Sequence, residues 1–72
     1  MGADRIRRAM DAGKRWAEDQ FAHGIEITAA SAEEAAKKKF HHLGMQYLFV
    51  SSALDLLLQE EARSGARPQN AA

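Results

Sequence analysis

Residues 31–63 read SAEEAAKKKFHHLGMQYLFVSSALDLLLQEEAR, and this stretch decides the fold. It contains no proline, and Ser31 followed by Glu34 has the spacing of a capping box at a helix start. Arg63 suits the negative end of the helix dipole, while Ser64 and Gly65 are typical of a helix end. The stretch therefore predicts one long helix over about residues 31–63.

This long helix is apolar on two opposite sides. At about 100° per residue, one stripe has the alternating spacing of four and three that helix packing requires. It is formed by Ala36, Phe40, Leu43, Tyr47, Val50, Leu54 and Leu57. A second stripe lies roughly opposite and is formed by Met45, Leu48, Phe49, Ser52 and Leu56. Both stripes need cover, because each large apolar side chain left in water forgoes about 1.5–3 kcal/mol.

A shorter helix is predicted before it, over about residues 3–22. Asp4 favours its start, and Gly24 can adopt the left-handed conformation that often follows a helix end. Only one side of this helix is apolar, so it needs one partner surface. That side carries Ile6, Ala9, Met10, Gly13, Trp16, Ala17 and Phe21.

Residues 23–30 connect the two helices. Ile25 and Ile27 flank Glu26 in strand-like alternation, and we interpret the segment as an extended linker. A short strand over 25–28, pairing with a symmetry mate, is the alternative that this pattern leaves open.

Two helices with a short connection favour an antiparallel hairpin. Matching the stripes predicts an intramolecular core in which Ile6 lies near Leu54, Met10 near Val50, Gly13 near Tyr47 and Ala17 near Leu43, with Phe21, Phe40 and Leu57 completing it. The second stripe is then left for another molecule. We predict an all-α fold in which two hairpins dimerise along Met45, Leu48, Phe49, Ser52 and Leu56 into a four-helix bundle. Residues 1–65 form the single domain, and 66–72 are expected to be a disordered tail.

Size and composition favour association. The chain has 72 residues, near the lower limit for a self-sufficient core, and no cysteine that could form a disulfide. Oligomerisation is a usual support for so short a chain. Ten basic and ten acidic residues cancel, which argues against a partner such as nucleic acid or an anionic membrane. The apolar run from Met45 to Leu58 is shorter than the ~20 residues that span a bilayer, so we expect no membrane contact and a cytoplasmic location.

The chain offers no arrangement that is typical of catalysis. It has no cysteine, no Gly-rich phosphate loop and no Ser-His-Asp pattern, so we expect neither enzymatic activity nor a small-molecule substrate. His41 and His42 are adjacent, whereas metal-binding histidines on one helix usually stand three or four residues apart. We therefore expect no metal and no cofactor.

The expected function is that of a non-enzymatic protein–protein interaction module, a homodimeric adaptor, chaperone or inhibitor that binds a surface of another protein. Arg8 and Arg15, seven residues apart on the first helix, are candidate partner-binding charges. The alternative is a small nucleic-acid-binding regulator that uses the basic face from Arg5 to Arg15, although acidic residues interleave there. In plan, though in no motif, the chain is similar to the cysteine-free helical miniproteins with which bacteriophages block host proteins. That resemblance implies an inhibitor of a host regulator.

Overall fold

The computed structural model is all-helical, which confirms the all-α part of the predicted fold. It describes the backbone of residues 2–71 and the side chains of residues 3–63. Three helices follow one another: α1 (Gly2–Ala22), α2 (Ala29–Lys39) and α3 (Leu43–Ala71). Between residues 2 and 71 there is no strand, and residues 25–28 connect α1 and α2 without regular structure; their pairing with a symmetry mate stays a prediction. The single long helix predicted for 31–63 is divided, and this changes how the chain packs.

Helix α2 begins earlier than predicted. Thr28 is its N-cap: the Thr28 hydroxyl accepts a hydrogen bond from the Ser31 N–H (3.1 Å), and the Thr28 N–H donates to the Ser31 hydroxyl (3.0 Å). This reciprocal pair takes the place of the predicted pair of Ser31 and Glu34. Both pairs have the same spacing, and the earlier one adds about a turn to the helix. Gly24, which follows α1, has a φ of 68°, as expected for its left-handed position.

The chain leaves the helical path at residues 40–42. Phe40 is extended, with φ −131° and ψ 136°. His42 caps α3. Its ring Nδ1 accepts a hydrogen bond from the Gly44 N–H at 3.0 Å, and its backbone carbonyl accepts one from the Gln46 N–H at 3.0 Å. The Gln46 side chain in turn donates to the Phe40 carbonyl at 2.8 Å. Two side chains therefore satisfy two of the backbone groups that the interruption exposes, the Gly44 N–H and the Phe40 carbonyl.

Helices α1 and α3 meet along a line of small residues. Ala9, Gly13 and Ala17, one every fourth residue of α1, are all buried. A Cβ atom at Gly13 would collide with the Phe49 carbonyl oxygen and lie 3.0 Å from the Ser52 Cβ. The two backbones consequently approach closely, and only glycine fits at this point.

The core is small and rich in alanine. One buried cluster joins Ala17, Ile27, Ala32 and Ala53, and half-buried side chains pack around it: Trp16, Phe21, Val50, Leu54, Leu56 and Leu57. Phe49 is the largest fully buried side chain among residues 3–63. Its ring centroid lies 5.8 Å from that of Trp16 and 6.2 Å from that of Phe40. This aromatic group joins α1, α3 and the interruption between α2 and α3.

The register between α1 and α3 differs from the predicted antiparallel one. Ala17 shares a cluster with Ala53 rather than lying near Leu43, and Gly13 lies against Phe49 and Ser52 rather than the ring of Tyr47. Later residues of α1 lie near later residues of α3, so these two helices run parallel. They can do so because the chain already reverses direction between α2 and α3.

Helix α3 also runs past its predicted end at Ser64 and Gly65, to Ala71. A glycine within a helix costs only about 1 kcal/mol relative to alanine, so it need not end one. The side chains beyond Arg63 lie outside the described residues, and the disorder expected for 66–72 stays a prediction.

Candidate interaction surface

The two most exposed large apolar side chains among residues 3–63 lie on one side of α3. We call this side, formed by Leu43, Tyr47, Val50 and Leu54, the outer face. Leu43 is 78% exposed and Tyr47 is 72% exposed, while Val50 and Leu54 are half-buried. Tyr47 and Phe49 point in nearly opposite directions, about 200° apart around the helix, so burying one exposes the other.

A groove separates the outer face from α2. It has a volume of about 230 Å³ and its floor includes Ala36 and Val50. Its α3 side is lined by the exposed side chains of Leu43 and Tyr47 and by the half-buried Gln46. On the α2 edge, Glu33 and Lys37 stand one helical turn apart. The groove is thus apolar within and carries one charge of each sign along its rim.

The second stripe, predicted as the dimer interface, lies largely inside the molecule. Phe49 is fully buried and Ser52 is 7% exposed, while Met45, Leu48 and Leu56 are half-buried. Ser52 was predicted to contact a second copy, but its close neighbour is Gly13 of the same chain. Only one of the two opposite stripes of α3 can be buried against α1. The close approach of the backbones at Gly13 favours burial of the stripe that contains Phe49.

The residues predicted as the intramolecular core are divided between interior and surface. Gly13 and Ala17 are buried, and a further group is half-buried: Phe21, Phe40, Val50, Leu54 and Leu57. Ile6 and Met10 are 44% and 41% exposed, and Leu43 and Tyr47 are the exposed residues of the outer face. The small side chains of α1 make the closest contact, so the larger ones on either side of that line remain partly in water.

A second groove, of about 610 Å³, follows the charged side of α1. Arg8 and Arg15 both line it, so the structure brings together the two charges singled out from the sequence. The rest of its lining mixes signs around the half-buried Trp16 ring: Asp4, Arg7, Asp11, Ala12, Asp19 and Lys39. Four cations alternate with three carboxylates, so this groove has little net charge.

Two of the three histidines, His23 and His42, lie within hydrogen-bond distance of backbone groups. His42 caps α3, and the His23 Nδ1 lies 2.8 Å from the Asp19 carbonyl oxygen. Among the side chains of residues 3–63, no three acidic or histidine groups cluster as metal ligands would. Within the same part of the chain, no helix combines the length and apolar character that crossing a membrane requires.

Comparison with known proteins adds no relative. The sequence matches no protein-family model and no curated protein, and the fold matches no solved structure.

Proposed function

We propose that the chain is a small non-enzymatic module that binds protein, and that the outer face of α3 is its binding surface. An adaptor, a chaperone and an inhibitor all act in this way. The observation that carries the proposal is the exposure of Leu43 and Tyr47 at the rim of an apolar groove. Burying each of them would contribute about 1.5–3 kcal/mol, a large amount for a domain of this size.

The composition of this surface supports a protein partner. Tyrosine is among the residues that most often anchor protein–protein interfaces, because its ring is apolar and its hydroxyl remains wet. Here the Tyr47 ring stands beside a groove that a partner side chain could fill, and Glu33 and Lys37 supply a polar rim. An apolar centre with a polar rim is the usual anatomy of such interfaces.

Photo-crosslinking from the outer face tests the proposal. Tyr47 is replaced by a photoreactive phenylalanine analogue in the producing cells, which are then irradiated. We expect a covalent adduct with protein, seen as a discrete increase in mass. The matched control carries the same analogue at Lys14, an exposed position on α1 outside both grooves. Absence of an adduct from position 47, or identical adducts from both positions, would contradict the proposal.

A nucleic-acid-binding regulator is the second candidate, and the charged groove of α1 favours it. Arg7, Arg8, Arg15 and Lys39 lie there around Trp16, and bases can stack on such a ring. We place it second because three aspartates share the groove and would repel phosphates. A mobility-shift titration at low and moderate salt separates the two, since phosphate contacts weaken steeply as salt rises.

A further inference from the structure

We propose that the occupant of the outer face is a second copy of this chain, docked antiparallel about a two-fold axis. This inference rests on the proposed function and names its partner. The axis crosses α2 near Ala35 and α3 between Leu48 and Phe49. The face then meets itself, as the interface of a symmetric dimer must.

The charges on the groove rim are self-complementary under this axis. Glu33 and Lys37 line the same groove and stand four residues apart on α2. A two-fold axis at Ala35, midway between them, brings Glu33 of each copy opposite Lys37 of the other. Each contact occurs twice, and both pair opposite charges. No foreign partner is needed to complete this rim.

The apolar residues of the outer face show the same symmetry. Their spacing along α3 is four, three and four residues, which reads the same in both directions. Antiparallel docking therefore places Leu43 of one copy beside Leu54 of the other, and Tyr47 beside Val50. The strongly exposed Leu43 and Tyr47 each meet a half-buried residue, so a protruding side chain lies opposite a recessed one.

The distribution of charge over residues 37–63 favours antiparallel docking of the two copies. Lys37, Lys38 and Lys39 precede α3, and no acidic residue occurs between Ala35 and Leu54. The opposite end carries Asp55, Glu60 and Glu61 against one cation, Arg63, which lies 3.5 Å from the Glu60 carboxylate, so this end remains acidic. A parallel dimer would bring like ends together, whereas the antiparallel one brings the basic end of each copy toward the acidic end of the other.

Charge reversal tests the rim contacts by sedimentation equilibrium on the full chain at low salt. Wild type should dimerise. Glu33→Lys places a second lysine opposite Lys37 in both symmetric contacts, so we expect the dimer dissociation constant to rise about tenfold. Adding Lys37→Glu to that variant restores opposite charges and should return the constant to the wild-type range. Glu34→Lys is the matched control, because Glu34 faces the Trp16 side of α2 and its reversal should change little.

Disulfide trapping tests the direction, since the chain has no cysteine of its own. Leu43→Cys and Leu54→Cys should crosslink when the two variants are mixed and oxidised. Neither variant should crosslink by itself. In the antiparallel dimer, position 43 or 54 of one copy lies eleven helical residues, about 16 Å, from the same position of the other copy, and a disulfide needs Cα atoms within about 7 Å. Crosslinking of Leu43→Cys with itself would indicate a parallel dimer and overturn the inference.

Other outcomes separate this inference from the proposed function. If the wild-type chain stays monomeric at several hundred micromolar and the photo-adduct at position 47 has the mass of another protein, the second copy is excluded and the binding module stands. If position 47 forms no adduct at all, the proposed function fails as well. If the double reversal of Glu33 and Lys37 does not restore dimerisation, the two-fold pairing is overturned.

Discussion

Phe49 is the residue on which the interior depends most. It is fully buried, and its ring contacts Trp16 of α1 and Phe40 at the interruption. Phe49→Ala removes both contacts and leaves a cavity, so we expect the free energy of unfolding to fall by about 3–5 kcal/mol. Thermal unfolding followed by circular dichroism at low micromolar concentration measures it. Tyr47→Ala is the matched control, because that ring is exposed, and an equal loss in both variants would place Phe49 outside the core.

Gly13 sets the distance between α1 and α3. Alanine there would gain about 1 kcal/mol of helix propensity, but its Cβ would meet the backbone of Phe49, which cannot move aside as a flexible side chain can. We expect Gly13→Ala to destabilise the chain by about 1–3 kcal/mol of overpacking. Urea unfolding of this variant beside Lys14→Ala, an exposed alanine substitution on the same helix, gives the comparison. A more stable Gly13→Ala variant would show that the helices are less closely packed.

At the residue scale the sequence predicts the buried small residues of α1 but not which residues of α3 lie against them. Gly13 and Ala17 are predicted inside and are buried there. Gly13 was predicted to lie near Tyr47, and this was wrong, because Gly13 lies against the backbone of Phe49. Small residues spaced by four, at 9, 13 and 17, indicate such an approach, and this is the signal that could have predicted it.

The interruption at residues 40–42 is the element that determines the packing. His42→Ala removes the acceptor for the Gly44 N–H, and losing a helix cap costs about 0.5–2 kcal/mol. We expect that loss in chemical denaturation, together with faster amide exchange at Gly44. His42→Asp retains an acceptor and adds a charge that favours a helix start, so its stability should equal or exceed that of wild type. Equal destabilisation by both substitutions would exclude the cap.

The sequence could not predict this interruption because nothing at residues 40–42 breaks a helix by itself. The segment Phe40-His41-His42 holds no proline or glycine, and the apolar spacing continues across it from Ala36 through Phe40 to Leu43. The hydrogen bonds of the His42 and Gln46 side chains form only once the chain has left the helical path, so the spacing of apolar residues does not reveal them. Which of the two stripes of α3 is buried also depends on tertiary packing. A helical wheel gives the angles between residues, but it does not show which side of the helix faces the interior.

At the scale of the whole molecule, fold class was predictable because long stretches of helical period leave little room for strands. Trp16, the single tryptophan, reports on assembly of the molecule because it packs against Phe49 of another helix. We expect its fluorescence and the far-ultraviolet circular dichroism to change at the same denaturant concentration, as in two-state unfolding. Fluorescence that changes first would show α1 separating from an intact α2 and α3.

The alanine-rich interior has a thermodynamic consequence. Among residues 3–63, five of the seven buried apolar residues are alanines, which expose little hydrocarbon on unfolding: Ala9, Ala17, Ala32, Ala36 and Ala53. A typical chain of this length has a heat-capacity change of about 1 kcal/mol/K, and we expect scanning calorimetry of dilute protein to give a smaller value. A typical or larger value would contradict this. The stability curve of the isolated chain should then be broad and shallow, with nearly the same modest stability near freezing as at moderate temperature.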